Sequence, residues 1–111
     1  MTIEALRDYG ANVEEGLNRC MNNEAFYLRL VNMAIDDPNF VRLHETVRAG
    51  DLKAAFEAAH SLKGVLGNLS LTPLYAPVAE MTEELRAGAA ADYDAYLRVI
   101  DERCAELAAL Q

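Results

Sequence analysis

Apolar residues recur three and four positions apart along almost the whole chain, and Gly, Asn, Asp and Pro interrupt them at intervals that suit helix ends. A short opening helix over Thr2–Tyr9 stops at Gly10. Asn12 caps a second short helix whose stripe is Val13, Leu17, Cys20 and Met21. Asn23 caps a third, carrying Phe26, Leu30, Met33 and Ala34 and stopping near Asp37-Pro38. Pro38 suits the first turn of a fourth, with Phe40, Leu43 and Val47 inward and Gly50 as its stop. Asp51 opens the longest helical pattern, which reaches Ser70. Thr72-Pro73 reads as N-cap and first residue of the next helix, with Leu74, Val78, Met81 and Leu85 inward, although Pro77 blurs its start. After a short loop at residues 87–91, a last helix from Asp92 to Leu110 buries Tyr93, Leu97, Ile100, Cys104 and Leu107. No segment alternates like a strand. The pattern predicts an all-α fold, an antiparallel four-helix bundle with short accessory N-terminal helices.

Composition agrees and narrows the field. The 111 residues suffice for one domain spanning 1–111, and Ala and Leu supply almost a third of them. The net charge of −8 argues against nucleic acid or an anionic membrane as partner. The longest uncharged run, Gly64–Ala79, is too short and too broken by Gly, Asn, Ser and Pro to span a bilayer. The first residues lack the basic and apolar regions of a signal peptide, so a cytoplasmic protein is expected. Cys20 and Cys104 form no CxxC pair and suit reduced core packing; with two His at no ligand spacing, no metal site is expected.

The helix from Asp51 holds what the core does not explain. With Leu52 at zero and about 100° per residue, its apolar residues gather on one arc, while His60 falls roughly 80° round, outside it. Phe56 stands between that arc and the histidine. Gly64 and Gly67 share the His60 face, and each mid-helix Gly costs about 1 kcal/mol relative to Ala. They suit either close approach of another protein or close packing of a neighbouring helix, the latter more for Gly67 than for Gly64. Lys63 lies one turn on and Lys53 two turns back; they are the only lysines in the chain. A lysine repels a metal and lowers imidazole basicity, but it neutralises charge if the ring carries a phosphoryl group.

Ala59-His60-Ser61-Leu62-Lys63-Gly64-Val65-Leu66-Gly67-Asn68-Leu69 resembles the signature of histidine-containing phosphotransfer (HPt) domains, A-H-x-L-K-G-x-x-x-x-L followed by a small residue. Glu15-Gly16-Leu17, the Ala49-Gly50-Asp51 turn and the chain length resemble the family too. The chain departs from it at Ser70, where many members have Gly. The resemblance implies a bundle in which His60 is the phosphoacceptor through Nε2 and Lys63 neutralises the phosphoryl charge. A response-regulator receiver domain would dock over Lys53, Phe56, Glu57, Gly64, Gly67 and Asn68. It further implies a monomeric phosphocarrier with no ATP-dependent kinase activity and no cofactor of its own. Mg²⁺ would sit on the receiver, and a hybrid histidine kinase is a further candidate partner.

Other residues fit plainer roles. His44 lies at the edge of an apolar stripe and reads as a hydrogen-bonded structural histidine; Ser61 reads as solvated, and Tyr75, Tyr93 and Tyr96 as packing. The rival readings are a helical interaction module that carries no phosphate and, further off, a small metal-assisted hydrolase. Charge distribution favours the relay: residues 41–70 carry a net +1 and the other residues −9.

Overall fold

In a computed structural model, which describes all 111 residues, the chain forms seven helices and no strand. They are α1 (Ile3–Tyr9), α2 (Val13–Arg19), α3 (Glu24–Ile35), α4 (Asn39–Arg48), α5 (Leu52–Asn68), α6 (Thr72–Arg86) and α7 (Tyr93–Ala108). Local chemistry sets most of the boundaries. The side-chain oxygens of Thr2, Asn12, Asn23, Asp51 and Asp92 each accept a backbone N–H three residues on, a cap worth about 1 kcal/mol. Gly10, Gly50 and Gly88 follow α1, α4 and α6 in left-handed conformations.

Four local expectations are corrected. Met21 leaves the α2 stripe: it and Asn22 both take φ of +56°, turning the chain between α2 and α3, and Met21 is 82% exposed. The inward face of α3 is Tyr27, Val31 and Ala34 rather than Phe26, Leu30 and Met33. Apolar residues surround that helix, so periodicity alone did not choose its face; Phe26 and Leu30 pack at the margin and Met33 is exposed. At α6 the N-cap is Leu71, which makes no side-chain capping bond, and the helix runs on through Pro77. Pro77 removes the N–H that would reach the Pro73 carbonyl and crowds that carbonyl with its ring, yet the helix continues past it. Finally, α5 ends at Asn68, two residues before Ser70, because Ser70 adopts φ of +55°.

The long helices share one core, centred on Tyr27, Leu43, Leu62, Leu66, Leu74, Met81, Ile100 and Leu107, all essentially inaccessible. Helix α5 packs against both α4 and α6, α6 packs on α7, and α7 returns to the first side of the bundle along α3. The His44 Nε2–Asp101 Oδ1 contact of 2.8 Å ties α4 to α7 as well. Short connections make successive long helices antiparallel. The bundle's first side is thus built from two shorter helices, α3 and α4, broken at Asp36–Pro38. Apart from that division, the architecture is the predicted four-helix bundle, with α1 and α2 as the accessory helices. No helix is long and apolar enough to cross a membrane.

Candidate functional site

Helix α5 is the best-buttressed element of the fold. Ala55, Ala58, Ala59, Leu62 and Leu66 are buried along one side, and the small volumes of the three alanines allow α4 and α6 to approach. This fixes the opposite side outward, and His60 lies there, exposed. Its ring stacks on Phe56, with centroids 5.6 Å apart and planes at 22°. The Arg86 guanidinium, from α6, sits over the same Phe56 ring at 4.9 Å from its centroid. The stack orients the imidazole, and no hydrogen bond within the chain engages its nitrogens; the other histidine, His44, spends its Nε2 on Asp101.

An open groove runs along this face. From α5 it is lined by His60, Lys63, Gly64, Gly67 and Asn68, with Glu15 and Arg19 on the α2 side and Tyr75 on the α6 side. The two glycines differ. A Cβ on Gly64 would meet nothing within 4 Å, so its backbone is open to an incoming surface. A Cβ on Gly67 would stand 3.2 Å from Tyr75 Cε2, so this glycine also makes room for a neighbouring helix. Of the other residues expected on the docking face, Lys53 and Glu57 are exposed but do not line the groove, and Phe56 reaches it only through the His60 stack. Glu57 faces Arg42 of α4 at 3.7 Å. Ser61 is exposed, Tyr93 is buried, and Tyr75 adds a wall of the groove to its packing role.

The two sides of the groove are built differently. At the C-terminal end of α5, the Ser70 N–H donates to the Gly67 carbonyl and the Leu71 N–H to the Leu66 carbonyl, both at 3.1 Å. That is a Schellman turn, which ordinarily places glycine where Ser70 stands. Arg19 Nη1 braces it, donating to the Gly67 carbonyl at 2.7 Å and to Ser70 Oγ at 3.0 Å. Ser70 Oγ donates to Glu15 Oε1 at 3.1 Å, and Glu15 pairs with Arg19 at 2.8 Å. The Ser70 carbonyl accepts from the Asn12 N–H at 3.0 Å, and the Leu69 carbonyl from the Tyr27 hydroxyl at 2.8 Å. Burial pushes that hydroxyl's pKa up to about 12, so it stays a donor at neutral pH. On the other side, Lys63 Nζ lies 3.7 Å from Glu83 Oε1, and Glu83 Oε2 lies 3.3 Å from Arg86 Nε.

Arg19, Glu15, Tyr75, Glu83 and Arg86 were not singled out from the sequence as site residues. Their link to His60 crosses between helices, and periodicity reports only on one helix at a time. The likeness at Glu15-Gly16-Leu17 and the departure at Ser70 are the local signals of the α2 network.

A sequence model described as the Hpt domain matches residues 2–110. The chain belongs to the Hpt domain family. Comparisons with curated proteins and with solved structures gave no match. Hpt domains take part in histidine phosphotransfer in two-component signalling, where they interact with receiver domains and histidine kinases and act as phosphocarriers rather than kinases. In this Hpt domain, no group of three or more His, Cys, Asp or Glu is placed to hold a metal ion. Burial raises the Cys104 thiol to about 12, as suits a packing residue.

Proposed function

We propose that this Hpt domain is a phosphorelay intermediate that accepts a phosphoryl group on His60 from the phospho-aspartate of one receiver domain and passes it to an aspartate on another. The observation that carries the reading is the exposed imidazole, stacked on Phe56, beside a Gly64 backbone that nothing covers. A receiver brings its phospho-aspartate over Gly64, and neutral His60 attacks phosphorus in line through Nε2. The N–P bond forms as the P–O bond to the aspartate breaks, which leaves the receiver its carboxylate. Lys63, one turn on, neutralises charge on the transferred group. Such transfer depends on positioning and electrostatics more than on covalent assistance from the protein. The receiver supplies the Mg²⁺, and the Hpt domain works as a monomer. Attack from an aspartate on the second receiver reverses the first step. A hybrid histidine kinase carrying such a receiver is a suitable upstream partner.

The test incubates the protein with ³²P-labelled phospho-receivers and Mg²⁺ and follows acid-labile label. Label on wild type and none on His60→Gln is expected. Label that survives His60→Gln would place the acceptor elsewhere, and absence of label from several receivers of the source organism would leave a non-phosphorylated interaction module.

A further inference from the structure

The chain of contacts Lys63–Glu83–Arg86–Phe56–His60 passes out through α6 and returns to the acceptor. Glu83 divides its two oxygens between two cations, Oε1 facing Lys63 and Oε2 facing Arg86. Arg86 has a second anchor on the Phe56 ring against which His60 stacks. Lys63 has only Glu83 as an ion-pair partner, and at 3.7 Å, with the carboxylate side chain 59% exposed, that pairing is loose. A lysine with four rotatable bonds leaves such a partner readily for a denser negative charge.

We propose that Glu83 is a positioning residue for the phosphotransfer: it holds Lys63 in the empty state and competes with the phosphoryl group for it in the loaded state. The inference rests on His60 being the phosphoacceptor. When the phosphoryl group arrives on His60, Lys63 turns towards it and Glu83 keeps Arg86, so no carboxylate is left without a cation. No covalent bond changes at Glu83. Its negative charge pulls Lys63 away from the phosphoryl oxygens, which raises the free energy of the phosphohistidine and favours passing the group on. Glu83 therefore keeps the carrier from becoming a store.

The experiment loads the full chain on His60 with phosphoramidate, a small-molecule phosphodonor, and follows phosphohistidine by ³¹P NMR. It then measures first-order loss of the group and the equilibrium with a receiver. Glu83→Gln is expected to lengthen the phosphohistidine lifetime about three- to tenfold, as removal of a charge competing for Lys63 should, and to shift the receiver equilibrium towards the Hpt domain by a similar factor. Glu83→Asp should recover most of the wild-type lifetime. In a Lys63→Gln background the same Glu83→Gln change should act less than about twofold, a coupling that a merely structural residue would not show. Thermal melting checks that each variant is folded, and Glu83→Ala serves should Glu83→Gln melt early. A folded Glu83 variant with wild-type lifetime and equilibrium overturns the proposal, as does an undiminished effect without Lys63. A wild-type protein that takes no phosphoryl group at His60, from phosphoramidate or from a receiver, overturns the relay reading instead.

Discussion

The two sides of the His60 groove use similar residues to opposite ends. On the α2 side Arg19 donates to the Gly67 carbonyl and to Ser70 Oγ and pairs with Glu15, and Ser70 Oγ donates to Glu15, in contacts of 2.7–3.1 Å that converge on the turn after α5. On the α6 side a lysine, a glutamate and an arginine meet one another at 3.3–3.7 Å and the arginine meets the Phe56 ring, with no backbone group engaged. A bond to a main-chain group at a turn holds backbone as well as side chain in place; exposed pairs between long side chains add little. One side is a frame, the other a movable set of charges, and the acceptor stands between them.

The comparison breaks most sharply at Gly16. A Cβ there would lie 2.6 Å from the Tyr27 Cζ and hydroxyl oxygen, so Gly16→Ala must shift α2 or push Tyr27 off the Leu69 carbonyl. We expect a loss of about 1–3 kcal/mol, the usual cost of overpacking, read by urea denaturation. An unchanged midpoint would mean that α2 is not fixed to the bundle. Next comes Arg19→Ala, expected to cost about 1–2 kcal/mol after allowance for solvent screening of its half-exposed Glu15 pair. By contrast, Lys63→Ala should change stability by less than about 0.5 kcal/mol, while slowing phosphotransfer. Equal costs for the two substitutions would erase the distinction between frame and movable charge.

Smaller effects separate the two glycines. Gly64→Ala meets open space and should stabilise the helix by up to about 1 kcal/mol, yet slow transfer from a receiver. Gly67→Ala gains less, because its methyl group presses on Tyr75. Matching melting temperatures for the two would show that Tyr75 yields freely. The smallest change is expected from Ser70→Gly: relief of a left-handed serine, about 1 kcal/mol, offsets loss of the hydroxyl's bonds, about 1 kcal/mol. A melting shift of a few degrees in either direction would show that one of the two dominates.

Much of this was legible along the chain because it is local. The Asn12 and Asn23 caps, the helix start at Asp51, the three glycine stops and the outward direction of His60 all follow from neighbouring residues and helical period. The Phe56 stack is a one-turn relation on the same helix. What could not be read is what crosses between elements. Tyr27 reaches Leu69 over 42 positions and Arg19 reaches Gly67 over 48, and nothing near Arg19 or Glu83 distinguishes either from a solvated surface charge. The face of α3 was missed for another reason. A helix apolar on several sides takes its orientation from its neighbours, and here Tyr27, with a bond waiting at its tip, turned inward ahead of Phe26.

The bare Gly16 backbone beneath Tyr27 separates two boundaries that look the same on paper. A fragment beginning at Asn23 would keep all four sides of the bundle, His60, Lys63 and both groove glycines. It would nonetheless uncover the Tyr27 ring and remove the arginine that braces Ser70. The portion that carries the chemistry is therefore smaller than the portion that holds its shape. A graft of α5 and α6 alone onto another scaffold would transplant an acceptor whose far end is free to fray.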